Sequence, residues 1–118
     1  MKHLVWDGIE RESLNELTVR QAIHGEKLTL ARIHLAKGAV VPRHAHSNEQ
    51  ISMLEQGRLR FVFDGREMIL EAGQMMLIAP DEPHAVIALE DSRALDLFAP
   101  AREDWIRGDD TYLRQTQR

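Results

Sequence analysis

Apolar residues in this chain come in short runs, cut by glycine or proline about every eight to twelve residues. That rhythm predicts an all-β barrel or sandwich with little helix. Val19–His24 and Lys27–Ala36 read as two strands joined at Gly25-Glu26. In the second, Thr29, Ala31, Ile33 and Leu35 share one face, and Leu28, Leu30, Arg32 and His34 the other, because side chains alternate along a strand. Ile51–Glu55 and Arg58–Phe63 flank Gln56-Gly57, and Arg66–Leu70 follows Asp64-Gly65, the strongest hairpin dipeptide of the chain. Met75–Ile78, His84–Leu89 and Ala94–Phe98 complete the strands. Beyond Pro100, Arg102–Arg107 has room for one helical turn, and Thr111–Arg118 is polar enough to fray or pack on a neighbour. The pattern contains no repeat, linker or low-complexity tract. One domain over residues 1–118 is expected, with its barrel core at about 17–99 and a tail at 100–118.

Composition narrows the function classes. Hydrophobic residues make up 43% and charged residues 29%, with signs interspersed and a net charge of −4. No basic face matches a phosphate backbone, so nucleic acid is not an expected partner. The absence of cysteine excludes a disulfide framework, a Cys-ligated zinc site and a thiol nucleophile. No apolar run approaches the roughly 20 residues that span a bilayer, and no signal-peptide pattern opens the chain. A cytoplasmic protein without membrane contact is the expectation.

Three of the six histidines carry candidate chemistry. His44 and His46 are two apart and, on a strand, point to the same side. Two imidazoles on one face can share a metal ion. Gln50 keeps that parity on an extended strand, whereas Glu49 is the competing oxygen ligand and points in only if a bulge reverses the parity. His84 follows a proline where another barrel strand begins. His3, His24 and His34 lack such context and read as exposed or hydrogen-bonded within a sheet. Met53, Met68, Met75 and Met76 read as core or pocket filler.

The spacing Gly38, five residues, His44, one residue, His46, three residues, Gln50, six residues, Gly57 resembles the first motif of the small single-domain cupins, with glutamine where glutamate is usual. Gly73 and His84 keep the separation of the second motif, although Ala79 and Asp81 replace its proline and glycine, and Ala88 its asparagine. The resemblance implies a cupin (jelly-roll) barrel holding one divalent metal ion on His44, His46, Gln50 and His84. Manganese, iron, nickel, cobalt and zinc all accept this donor set.

Three imidazoles and an amide leave the +2 charge of such an ion uncompensated, which favours an anionic substrate and Lewis-acid chemistry. In the last strand, Asp96 sits among apolar residues with Phe98 on the same face and Arg102 just beyond. Asp96 either pairs with Arg102 or Arg93, or serves as an acid/base group beside the metal. This stretch, with Val41–Gln50, is similar to cupins of the pectin-degradation type, which open 4,5-unsaturated uronates to linear keto-uronates. The similarity implies Asp96 and Arg102 as catalytic residues, and Phe98 and Arg102 as contacts to a small sugar acid. A metal-dependent dioxygenase and a non-catalytic ligand-binding module are the competing readings. Small cupins also tend to dimerise, and the apolar face of Lys27–Ala36 and Trp6 are the candidates for a homodimer surface, with the core of the monomer the alternative place for Ile33 and Leu35.

Overall fold

The computed structural model describes residues 1–115. A short 3-10 turn at Trp6–Gly8 precedes ten strands. They are β1 (Glu12–Asn15), β2 (Thr18–His24), β3 (Thr29–Leu35), β4 (Val40–His44), β5 (Glu49–Gln56), β6 (Arg58–Phe63), β7 (Arg66–Glu71), β8 (Met75–Ile78), β9 (His84–Ala88) and β10 (Ser92–Ala99). Helix α1 (Glu103–Arg107) and a 3-10 turn at Thr111–Arg114 follow. The strands form two antiparallel sheets, one in the order β1-β2-β3-β10-β5-β8 and one in the order β4-β9-β6-β7. This is the expected all-β architecture.

Alternation along the strands decides where the core lies. In β3, Thr29, Ala31, Ile33 and Leu35 are buried, and the intervening Leu30, Arg32 and His34 are only half-buried. Ala31, Ile33, Leu35, Leu54, Leu59, Phe61, Ile78 and Val86 pack in one cluster between the sheets. The face of β3 that was a candidate to join a second subunit is therefore the core. Trp6 is also engaged, with its ring 5.2 Å from the Arg32 guanidinium and its carbonyl accepting from Gln21 Nε2. The methionines divide. Met76 packs against the core, while Met68 and Met75 are 38% and 66% exposed. Met75 lies on the outer face of the edge strand β8, whereas Met68 pairs with buried Phe61 and is exposed because β7 is the edge of its sheet.

Gly57 is where the chain leaves one sheet for the other. Its φ is +95°, and a Cβ there would overlap Ser92 Oγ and the Asp91 carbonyl, so only glycine turns this corner. The helical turn after Pro100 forms as expected. The segment after it packs back on the barrel through Arg20–Asp110 (2.8 Å) and Asn15–Leu113 O (3.1 Å). Residues 116–118 of the expected polar tail lie outside the described residues.

Candidate metal centre and its cavity

His44 ends β4 and pairs directly with His84, which begins β9. His46 lies beyond β4, in the connection to β5. The two histidines are thus not same-face neighbours on one strand. The chain changes sheet between His44 and Gln50, and the connection is fixed by Asp81 N–H donating to His46 O and by Asn48 Nδ2 donating to Pro100 O and Ala101 O. The result is still a cluster. One ring nitrogen each from His44, His46 and His84 lies within 4.8 Å of the others.

The tautomers follow from the neighbours. His44 Nδ1 is 2.8 Å from Pro42 O, His46 Nδ1 is 3.0 Å from Asn48 O, and His84 Nδ1 is 2.8 Å from Glu82 O. Carbonyl oxygens only accept, so each Nδ1 carries the proton and each Nε2 presents a bare lone pair. Burial lowers the His44 imidazole to about 4, with the neighbouring histidines and Arg102 acting in the same sense against the Pro42 hydrogen bond. Burial also lowers His46 and His84. All three are neutral at neutral pH, the form that binds metal.

Gln50 completes the set. It is 6% exposed on the inner face of β5, where it pairs with Phe98 and Ile78. Ser52 Oγ donates to Asp96 Oδ1 at 2.6 Å and accepts from Gln50 Nε2 at 2.9 Å. That chain turns Gln50 Oε1 towards the histidines, 3.0 Å from His46 Nε2. Both atoms are acceptors, so the contact is repulsive until a cation relieves it. Four bare donors converging without a proton between them fit a divalent ion. Glu49 is exposed on the opposite face, and β5 pairs with β8 without a bulge from Gln50 to Met53. His24 bonds Thr29 Oγ1 and His34 bonds Gln21 Oε1, away from the cluster.

His44 and His84 open into a cavity of about 60 Å³ whose wall also includes Gln50, Asp96, Phe98, Arg102 and Tyr112. Asp96 makes neither ion pair open to it. Arg93 binds Glu55 at 3.2 Å, and Arg102 binds Asp104 through Nε (2.9 Å) and Nη2 (2.7 Å). Burial pushes the Asp96 carboxyl up to about 6, against the hydrogen bonds from Ser52 and Gln50 and the charge of Arg102. Arg102 is 1% exposed, with its guanidinium 4.7 Å from the Phe98 ring centroid and 4.3 Å from that of Trp105. Such stacking holds the charge planar and fixed. Phe98 is itself buried, edge-on to His46 and Trp105. Asp104 and Tyr112 escaped the sequence reading, and no role was assigned there to Ser52. Only Ser52 had a signal there, its shared parity with Gln50.

A two-sheet barrel with this histidine cluster at its mouth defines a cupin, and the chain belongs to the cupin domain family, whose pattern matches residues 31–99. The sequence is 30% identical over 102 residues to the pectin degradation protein KdgF of Dickeya dadantii (strain 3937), across 85% of this chain and 86% of that protein. The solved structure of KdgF from Halomonas sp. superposes with a TM-score of 0.82 at 26% identity, covering 88% of this chain and 99% of that one. An RmlC-like cupin from Shewanella frigidimarina NCIMB 400 superposes equally well, at 0.82 and 28% identity over 89% and 96% of the two chains.

Proposed function

We propose that this cupin is a metal-dependent isomerase that opens the ring of a small unsaturated uronate. The observation that carries this reading is Asp96 and Arg102 sharing one cavity wall with His44, His84 and Gln50. The similarity to KdgF supports the substrate class. A dioxygenase site makes no demand on Asp96, whereas here that carboxylate reaches the Gln50 amide through Ser52.

The chemistry matches an isomerisation. Opening a 4,5-unsaturated uronate breaks the C1–O5 bond, takes a proton from the anomeric hydroxyl and delivers one to C4. The proton count is unchanged, so one carboxylate that accepts and returns a proton suffices. Asp96, poised at about 6, is ionised near neutrality yet basic enough to accept a proton. Arg102 has Nε and Nη2 engaged by Asp104 and Tyr112, which leaves Nη1 for the substrate carboxylate. A divalent ion on His44, His46, Gln50 and His84 would supply Lewis acidity to a sugar oxygen, and these uncharged donors leave its charge to attract the acid.

The test is the decay of the ultraviolet absorbance of freshly generated 4,5-unsaturated galacturonate, followed with manganese, iron, nickel, cobalt or zinc, for wild type and Asp96→Asn. Wild type accelerates the decay, and the variant is slower by about 10²- to 10⁴-fold, the range of general acid–base catalysis. The amide oxygen of the variant still accepts from Ser52, so metal content is unchanged. Decay at the buffer rate with every metal overturns the reading.

We also propose that a second copy of this chain covers the outer face of the six-stranded sheet. Ile23, Leu30, Leu97, Ile51 and Leu77 form one cross-strand row there, and Leu95, Met53 and Met75 part of the next. An apolar face this continuous is rare on a monomer.

A further inference from the structure

Tyr112 belongs to the 3-10 turn at Thr111–Arg114, yet it reaches the cavity beside Asp96 and Arg102. Its placement is fixed from both sides. Asp110 accepts from Arg20 at 2.8 Å and from Arg114 at 3.1 Å, and Leu113 O accepts from Asn15. The Tyr112 ring lies 4.9 Å from the His44 ring at an interplanar angle of 32°. Its hydroxyl is 2.8 Å from Arg102 Nη2.

The polarity of that last contact has one solution. A guanidinium has donors only, so Arg102 donates and the phenol oxygen accepts. The single hydroxyl proton of Tyr112 is then uncommitted, since among the described residues its hydrogen-bond partner is Arg102 alone. A free O–H beside a half-engaged guanidinium, both lining one cavity, makes a pair of donors for a two-oxygen anion.

We propose that Tyr112 is a substrate-binding residue whose hydroxyl donates to the carboxylate that Arg102 holds, so that the C-terminal turn sets selectivity for acids. This rests on the uronate reading above. It assigns a recognition role to a residue outside the matched family segment, residues 31–99.

The test compares wild type with Tyr112→Phe on 4,5-unsaturated galacturonate, using metal-loaded full-length protein. Loss of one hydrogen bond to a charged acceptor raises KM about tenfold to hundredfold, with kcat within about twofold. Metal content and melting temperature stay at wild-type values, because the ring on His44 is kept. Galacturonate and galactose serve as competitive inhibitors. Wild type prefers the acid, and in the variant that preference shrinks about tenfold to hundredfold while its inhibition by galactose is unchanged, which a merely structural role would not produce. An active wild type with KM and acid preference unchanged in the variant overturns the role of Tyr112 and leaves the isomerase reading standing. Parallel loss of metal and melting temperature in the variant overturns it in favour of a structural role. A wild type that does not turn over the unsaturated uronate overturns both.

Discussion

Ser52 Oγ lies 2.6 Å from Asp96 Oδ1, and this hydrogen bond sets the direction of the next one along. An ionised carboxylate only accepts, so the Ser52 proton is committed to it. The serine lone pair therefore takes a Gln50 amide N–H, and the Gln50 oxygen is left facing the histidines. The candidate acid/base residue and the candidate oxygen ligand are in this way two ends of one relay.

Ser52→Ala breaks that relay without removing a donor to the metal. Gln50 then keeps only its direct hydrogen bond to Asp96, and divalent-metal affinity falls about tenfold to hundredfold, the usual cost of losing a hydrogen-bond partner of a ligand. Titration calorimetry on the apo protein reads this directly. Unchanged affinity would show that Gln50 is oriented without Ser52.

Occupation of the proposed metal site should also register in stability. Three neutral imidazoles held in place before the ion arrives cost little to organise, so the folded state binds and the unfolded chain does not. At an ion concentration 100-fold above Kd, the gain is about 2.7 kcal/mol, which moves the melting temperature by roughly 10 °C in a domain of this size. His84→Ala abolishes the shift, because it removes a proposed ligand that is 2% exposed and central to the cluster. A shift that survives in His84→Ala would place the ion elsewhere.

The outer face of the six-stranded sheet offers a test of self-association. Leu77 is 66% exposed and pairs with Ile51 across to the next strand. Leu77→Asp puts a charge at the edge-strand end of the proposed contact and leaves the core untouched. Light scattering after gel filtration gives twice the chain mass for wild type and one chain mass for the variant. A wild-type monomer at micromolar concentration rules this face out as a stable interface.

Much of this architecture was legible because alternation is a local signal. The β3 pattern named its buried face residue by residue, and Asp64-Gly65 gave its hairpin from two letters, with Phe63 paired to Arg66. β1 was not legible, since Leu14 is its one buried residue and pairing with β2 supplies what its own sequence lacks. The histidines were identified by spacing, but their convergence comes from a change of sheet that parity on a single strand does not describe. Tyr112 was hidden for a related reason. The contact that anchors its turn, Arg20 with Asp110, joins residues 90 positions apart.

That anchor makes stability depend on pH in a defined direction. Burial opposes ionisation of Asp110, but hydrogen bonds from Arg114 and Arg20 outweigh it and hold the carboxyl below its ordinary value. A depressed carboxylate stabilises the fold above its unfolded pKa of about 3.9 and loses that contribution as pH falls through the lower, folded value. The side chains of Asp110 and Arg20 are 4% and 3% exposed, so solvent screens this pair little. Asp110→Asn removes the charge and leaves the Arg20 guanidinium with Glu12 alone. Urea unfolding of the apo protein at pH 7 should show a loss on the order of 2 kcal/mol. The gap between wild type and variant should narrow steadily below pH 4, where the wild-type carboxyl also takes up a proton. A gap that stays constant down to pH 2.5 would mean that Asp110 contributes by shape and neutral hydrogen bonding, with no part played by its charge.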